Sequence, residues 1–463
     1  MRHYFSITLL ILCQVAIGQQ TIFINPDVKY QTLEGWGISL SWWAHDVGDK
    51  FSDEDLDVFC RWLTDPEELN MNVFRYNISG GDDPSHNHMR PDAQVPGYKT
   101  AEFNDYDWSR NAAQRNILLK VNAMRPDAIY EAANYSPPYW MTKSGCSAGD
   151  SLGLDNLKDD YYDDFACYLA DVVRYYKAQY NITFSSISPI NEPFSNWWKA
   201  GGTQEGCAFS QENQEKIIRE LYLELKKHDM LSYTGIAVMD ANSIDECLKG
   251  LMGYEKAGIL SMIKQINVHS YAGTQRKELN AFANRHQIPL WQSESGPLWV
   301  EKKGPDNFLF MAQRIVTDMK ELKPVVWCDW QYMGRGFGGV WSLVGYNLGT
   351  KAYERTMGYY CRKQFTHLIK QGYTFIENDN ENTLTAISPD QKTMVVVIVN
   401  QHEKDKEFNI DFGASFKPKK ASLFRTSETE NYISISDDRN IDFENYRINC
   451  KRKSVTSIVL EGK

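Results

Sequence analysis

Two carboxylates carry the first chemical suggestion in this sequence. Glu192 lies in Pro189-Ile-Asn-Glu-Pro193 and Glu294 in Trp291-Gln-Ser-Glu-Ser295, each after an apolar run. They stand about 100 residues apart. That interval is roughly three strand–helix units of a barrel that spends about 30 residues on each. Carboxyls at the tips of barrel strands four and seven would face each other across the mouth. Such a pair can cut a glycosidic bond: one protonates the leaving oxygen while the other attacks or activates water. In a retaining site the two sit about 5–5.5 Å apart and the attacking group forms a glycosyl ester. The acid must keep its proton near neutral pH, so burial and the second carboxylate should raise it. The plain alternative for either Glu is a solvated turn residue.

Other residues fall at strand ends around this pair. Arg75 in Val73-Phe-Arg-Tyr-Asn77 would keep Glu294 ionised as a nucleophile requires, or would serve a structural ion pair. Asn191 can reach a sugar hydroxyl. In His269-Ser-Tyr271, Tyr271 could hydrogen-bond the nucleophile, while His269 alone reads as a satisfied core group. Trp140, Trp197, Trp198 and Trp330 follow or close strand ends, and Trp42 and Trp43 follow strand one. Flat aromatic faces suit the C–H patches of sugar rings, so two or three of these should stack and the rest should pack. No His-x-x-x-His or clustered cysteine spacing is present, so no catalytic metal is expected. No nucleotide fingerprint follows the first strand, so no cofactor is expected either.

The elements that must position these groups follow from periodicity. Eight β-like runs are expected: Leu33–Ser39, Asn72–Asn77, Ala128–Asn134, Ser185–Asn191, Gly235–Asp240, Gln265–His269, Pro289–Glu294 and Pro324–Trp330. Helical spacing separates most of them, as in Asp159–Tyr180, Ser210–His228 and Asn307–Leu322. Strand alternating with helix over some 320 residues predicts a (β/α)8 TIM barrel. From about Tyr373 the period becomes two. Thr393–Asn400, Ala421–Thr426 and Ser454–Leu460 alternate with polar turns, which predicts a packed C-terminal β-sandwich. The expected division is residues 1–18 as a signal peptide, 19–370 as the barrel and 371–463 as the sandwich. Residues near 20–30 can add a strand to the sandwich, and the join near 355–370 reads as helical.

The 463 residues are too many for one ordinary core, which fits two packed units. A net charge of -10 argues against nucleic acid and against anionic membranes. Arg2 and His3, the apolar run Phe5–Leu12 and the small residues of Ala16-Ile-Gly18 resemble a cleaved export signal. Cys13 tempts a lipoprotein reading, but Leu12 stands where a small residue is needed. No apolar stretch is long enough to span a bilayer. Of the remaining cysteines, Cys146 and Cys207 lie in loops and could meet at the barrel mouth. Cys167 and Cys361 read as buried helical thiols.

Taken together, these motifs resemble glycoside hydrolase family 30, in the large clan of (β/α)8 retaining glycosidases. The resemblance runs from Thr32 to the C-terminus. It rests on Leu33-Glu-Gly-Trp-Gly-Ile-Ser39, Phe74-Arg-Tyr-Asn77, Asn134-Tyr-Ser-Pro-Pro-Tyr-Trp-Met141, Asn191-Glu-Pro193, His269-Ser-Tyr271 and Ser293-Glu-Ser295. Arg362–Tyr373 resembles the family's passage into its sandwich, although Lys370-Gln-Gly replaces a more usual Arg-Pro-Gly. The resemblance implies Glu192 as acid/base and Glu294 as nucleophile, with Asn134 among the substrate-binding residues. Within the family, Ser41-Trp-Trp-Ala44 and the loop Trp197–Cys207 are most similar to the endo-β-1,6-galactanases. No basic cluster stands ready for a substrate carboxylate, which argues against a glucuronoxylanase. β-1,6-Glucanase and glucosylceramidase-like β-glucosidase activities stay open, as does a carbohydrate-binding protein without catalysis. The expectation is an exported monomer acting on arabinogalactan side chains.

Overall fold

The computed structural model describes residues 20–298, 304–435 and 442–462. The expected signal segment lies outside these residues. The chain opens with β1 (Gln20–Thr32) and then closes a parallel barrel. The barrel strands are β2 (Gly35–Ser39), β3 (Val73–Asn77), β4 (Ile129–Ala133), β5 (Phe184–Ser188), β6 (Gly235–Ser243), β7 (Gln265–Ala272), β8 (Leu290–Glu294) and β9 (Val326–Asp329). Each pairs with the next in sequence, and β9 returns to β2. Burial on both faces explains why most of them read as continuous apolar runs. Packing inside is tight at β2. A Cβ placed on Gly37 would lie 2.4 Å from Cys328 Sγ, so only glycine fits there.

The helices lie where periodicity placed them, with small shifts at their ends. Ser210 caps the helix Gln211–Lys227 by accepting from the Asn213 N–H. The expected helix Asn307–Leu322 is Pro305–Thr317 followed by a π-turn, Asp318–Leu322. Several barrel strands are shorter than expected, and one of these differences moves a site residue. β5 stops at Ser188, because Pro189 cannot donate to the ladder. Glu192 therefore sits in the loop beyond the strand, not at its tip.

After the barrel, β10 (Met333–Arg335), β11 (Val344–Tyr346) and β12 (Tyr353–Arg355) form a small sheet beside the mouth. The helix Met357–Thr366 leads on to β13 (Thr374–Asn378), β14 (Thr383–Ile387), β15 (Thr393–Asn400), β16 (Lys406–Asp411), β17 (Pro418–Ser427), β18 (Glu430–Ile435), β19 (Tyr446–Cys450) and β20 (Ser454–Gly462). These strands run in the order β18-β17-β20-β15-β14-β13-β1-β16-β19. β1 carries the turn between the two layers: Gln20–Phe23 pairs with β16, and the stretch from Ile24 onward pairs with β13 through register shifts. β15 shows what a period of two achieves. Met394, Val396 and Ile398 face the sandwich core, while Val395, Val397 and Val399 join the core shared with the barrel helices. The molecule is thus a TIM barrel with a packed β-sandwich, as the periodicity predicts.

Candidate active site

The C-terminal ends of the barrel strands surround a cleft of ≈ 710 Å³. Its wall includes Trp42, Tyr135, Asn191, Glu192, Trp197, Trp198, Tyr271, Glu294, Trp330 and Trp341. Glu192 and Glu294 are 6% and 5% exposed, so each carboxyl meets solvent only through the cleft. One oxygen from each lies within 4.8 Å of the other, with a His269 nitrogen inside the same radius.

His269 links the pair. Its Nδ1 lies 3.1 Å from Glu192 Oε1 and 3.5 Å from Glu294 Oε1, and its Nε2 faces Asp240 Oδ1 at 3.3 Å. Burial works against the imidazolium, yet Glu294, Asp240 and Glu192 together raise His269 to about 10. The ring is therefore a cation at neutral pH. Asn242 Nδ2 also donates to Glu192 Oε1, at 2.7 Å. No hydrogen bond among the described residues reaches Glu192 Oε2. That oxygen can hold a proton toward the cleft.

Glu294 is surrounded by donors. Tyr271 donates its hydroxyl to Oε1 at 2.9 Å, and Arg75 Nη1 faces Oε2 at 3.5 Å. Burial pushes Glu294 up to about 7 against the pull of His269; Glu192 adds to the rise and Arg75 opposes it. Glu294 therefore exchanges its proton near neutrality while His269 stays charged.

A buried charge layer supports this surface. Arg75 is fully buried and pairs with Glu131 at 2.7 Å and with Asp240 at 2.5 Å. Burial opposes the Asp240 charge, but Arg75 and His269 hold its carboxyl well below the ordinary range. Asp240 takes part because β6 bulges here. Met239 and Asp240 have φ of 78° and 43°, and Glu192 has φ of 45°. The Glu192 N–H donates to the Asp240 carbonyl at 2.8 Å. Non-glycine residues at positive φ cost energy, and their gathering here fits a geometry fixed for chemistry.

A profile described as "O-Glycosyl hydrolase family 30" matches residues 19–275. The endo-β-1,6-galactanase of Hypocrea rufa is 30% identical over 419 residues, covering 85% of this chain and 84% of that protein. The chain belongs to glycoside hydrolase family 30. It is a β-glycoside hydrolase of the retaining clan. An exo-β-1,6-galactobiohydrolase of Bifidobacterium longum subsp. longum is 24% identical; the match covers 89% of this chain but only 37% of that protein. In fold, the chain is similar to a conserved exported protein from Bacteroides fragilis. That match has TM-score 0.79 and 16% identity, and covers 95% of this chain and all of the other.

Against this family background, the expected site residues separate into three groups. Asn191, Trp42, Trp197, Trp198, Tyr271 and Trp330 line the cleft with the two Glu. Arg75 and His269 lie beneath it, both wholly buried, and act on the carboxyls rather than on a sugar. Asn134 and Trp140 are outside the cleft wall. Asn134 Nδ2 donates to the Ile78 carbonyl, and Trp140 Nε1 donates to the Lys99 carbonyl, so both tie loops together. The cysteine expectation is corrected too. Cys146 and Cys207 do not pair, and all eight described cysteines are free. Cys207 instead donates to the Ala208 carbonyl. As expected for helical thiols, Cys361 is buried and unpaired, while Cys167 is half-buried beside Asp171.

Sequence reasoning missed Asp240, Asn242, Tyr135 and Trp341. Asp240-Ala-Asn242 carried a signal, since polar residues closing an apolar strand point to a barrel mouth. Asp46 was missed for another reason. It receives Arg335 and the Tyr346 hydroxyl from nearly 300 residues away, and so fixes two cleft residues of the β10–β12 sheet.

Proposed function

We propose that this chain is an exported retaining endo-β-1,6-galactanase that cuts arabinogalactan side chains by double displacement. The facing pair Glu192 and Glu294, with oxygens within 4.8 Å and one cation between them, carries the mechanism. That separation suits direct attack and leaves no room for an intervening water. Glu294 attacks the anomeric carbon. The glycosidic C–O bond breaks, and its electron pair stays on the leaving oxygen, which takes the proton from Glu192. Glu192, now a carboxylate, accepts a proton from water, whose oxygen attacks the same carbon and releases Glu294. His269 stabilises whichever carboxylate is charged, and the Tyr271 hydroxyl supports Glu294. The relative from Hypocrea rufa supports the galactan assignment, and the Trp197–Cys207 loop at the cleft supports it further.

Galactose differs from glucose in its axial 4-hydroxyl. A site that bonds this hydroxyl leaves its own group unpaired when glucose binds, at about 1–3 kcal/mol. De-arabinosylated galactan should give short β-1,6-galacto-oligosaccharides, with a β-1,6-glucan cut at least about tenfold more slowly. Equal or faster cutting of the glucan would replace this assignment with a β-1,6-glucanase. Failure on every glycan and on aryl β-glycosides would leave a carbohydrate-binding protein.

A further inference from the structure

A second cluster of titratable side chains lies beside the active-site loops. Asp82, His86, His88 and Cys146 each direct one ligand atom into a space where all four lie within 4.8 Å of one another. His86 Nδ1 and His88 Nε2 approach the same oxygen, Asp82 Oδ2, at 3.2 and 3.1 Å. Cys146 Sγ lies 3.3 Å from His88 Nε2. Three of the six separations, at 3.1–3.3 Å, are at or slightly below the edges of a small tetrahedron, and all six are within 4.8 Å. Bonds of about 2.0–2.3 Å to a central ion give edges of about 3.3–3.6 Å.

The surroundings orient the ligands. His88 Nδ1 lies 2.6 Å from the Gly202 carbonyl, which can only accept, so this nitrogen carries the hydrogen. Nε2 then turns its lone pair into the cluster, between Asp82 Oδ2 and Cys146 Sγ. A backbone carbonyl on the far nitrogen is the usual partner of a metal-bound histidine. Asp82 Oδ1 accepts from the Ser147 N–H at 3.0 Å, which turns Oδ2 inward. We propose that Asp82, His86, His88 and Cys146 form a closed structural site for one zinc-class divalent cation.

The ligand types fit. Two imidazoles, one thiolate and one carboxylate suit Zn²⁺ and are a poor set for Ca²⁺ or Mg²⁺. The cation can enter, because His86 is one-third exposed and borders a cavity of ≈ 250 Å³. The site also has a structural task. Asp82, His86 and His88 lie in the loop after β3, and Cys146 lies in the loop after β4. Through the Gly202 carbonyl, His88 reaches the loop after β5 that carries Trp197 and Trp198. The Arg90 N–H adds a bond to Thr203 of that same loop. A cation here would pin three loops that wall one side of the cleft. With four protein ligands no position is left for a reacting water, so the role is positional.

The test uses the full chain, stripped with a chelator and titrated with Co²⁺ and then Zn²⁺. One Co²⁺ should bind per chain with tetrahedral d–d bands and a thiolate charge-transfer band. Zn²⁺ should displace it and raise the melting temperature. Cys146→Ser should abolish the charge-transfer band and weaken binding by about a hundredfold or more. Cys167→Ser, outside the cluster, should change neither. His86→Ala provides a second variant at an exposed position should Cys146→Ser fold poorly, and it should weaken binding comparably. Absence of stoichiometric Co²⁺ and Zn²⁺ binding, or a thiolate band that survives Cys146→Ser, would overturn the proposal. Either result leaves the glycosidase reading untouched, because none of the four ligands touches Glu192 or Glu294.

Discussion

His269 Nδ1 lies 3.1 Å from Glu192 Oε1, and the same nitrogen faces Glu294 Oε1 at 3.5 Å. One buried cation is therefore shared between the two carboxyls proposed as acid and nucleophile. Glu294, raised to about 7, must be ionised to attack, so activity should rise along an acidic limb near pH 7. Replacing His269 by Asn removes the positive charge that lowers Glu294, so Glu294 keeps its proton to higher pH. The limb should move up by about one unit or more, with a rate at pH 7 about tenfold lower or worse. A limb that stays in place would show that His269 only packs.

The same groups set the pH dependence of stability. His269 is raised from 6.5 to about 10 in the fold, so its contribution is full below about 6.5 and is lost as pH rises through 10. Glu294 is an acid raised from 4.5 to about 7, so it carries no penalty below 4.5 and an increasing one up to about 7. Both slopes have the same sign. Denaturant midpoints should decline from about pH 5 to pH 10. The His269→Asn variant should lose the part of the decline between 7 and 10. Urea unfolding across that range decides it.

Trp197 and Trp198 are neighbours with different tasks. Trp197 is 43% exposed on the cleft wall, whereas Trp198 is 4% exposed and donates its Nε1–H to the Glu192 carbonyl at 3.1 Å. Trp197→Ala should raise KM with little change in melting temperature, as loss of a stacking face would. Trp198→Ala should cost about 3–5 kcal/mol of stability. Trp198→Phe keeps much of the packing and loses the hydrogen bond, so it should lower kcat more than it raises KM. Steady-state kinetics beside thermal melts separate the three.

Much of this arrangement was legible in the chain, for physical reasons that differ between elements. The barrel was readable because a buried parallel strand is an apolar run and its helices repeat every 3.6 residues. β15 was readable to the residue because its two faces both meet apolar cores. The path of Glu192 was less so. Pro189 stops β5, and the positive φ at Glu192 depends on a bond from its own N–H to Asp240 in the next strand. The polar end of Gly235–Asp240 marked a barrel mouth, but a bulge leaves no periodic trace, so the contacts of Asp240 with His269 and of Asn242 with Glu192 could not be read. His86 and His88 are two residues apart, and Cys146 joins them only through the barrel's circular order, which no local spacing records.

The sandwich should be inseparable from the barrel. Gln364 Nε2 donates to Thr426 Oγ1 at 2.9 Å, and the Ser457 hydroxyl donates to the Gln364 carbonyl at 3.3 Å. Around these bonds Tyr359, Phe365, Leu309 and Ala312 of the barrel helices share one core with Leu384, Val395, Val397 and Val455. A chain ending at residue 370 would expose that apolar face and leave Gln364 without its partners, which favours aggregation. Such a fragment should be insoluble. A soluble 20–370 fragment with full activity would make the sandwich a separate appendage.

The assignment of roles within the carboxyl pair gives the sharpest kinetic contrast. Glu192→Gln keeps the size and the Asn242 contact but has no proton to give. Hydrolysis of galactan should fall by about 10²–10⁴, the range of general acid catalysis. An aryl galactoside with an excellent leaving group needs no proton for the first step, so glycosylation of Glu294 should proceed. The second step then stalls, since no base activates water, and a burst of phenol should precede slow turnover. Added azide needs no base, so it should restore turnover and give a β-glycosyl azide. Glu294→Gln leaves no group to attack, so it should be dead on both substrates, with no burst. If azide instead rescues Glu294→Gln and yields an α-glycosyl azide from the aryl substrate, Glu294 is still the nucleophile and the small anion has taken its place. Rescue with a β-glycosyl azide from Glu294→Gln alone would reverse the two assignments.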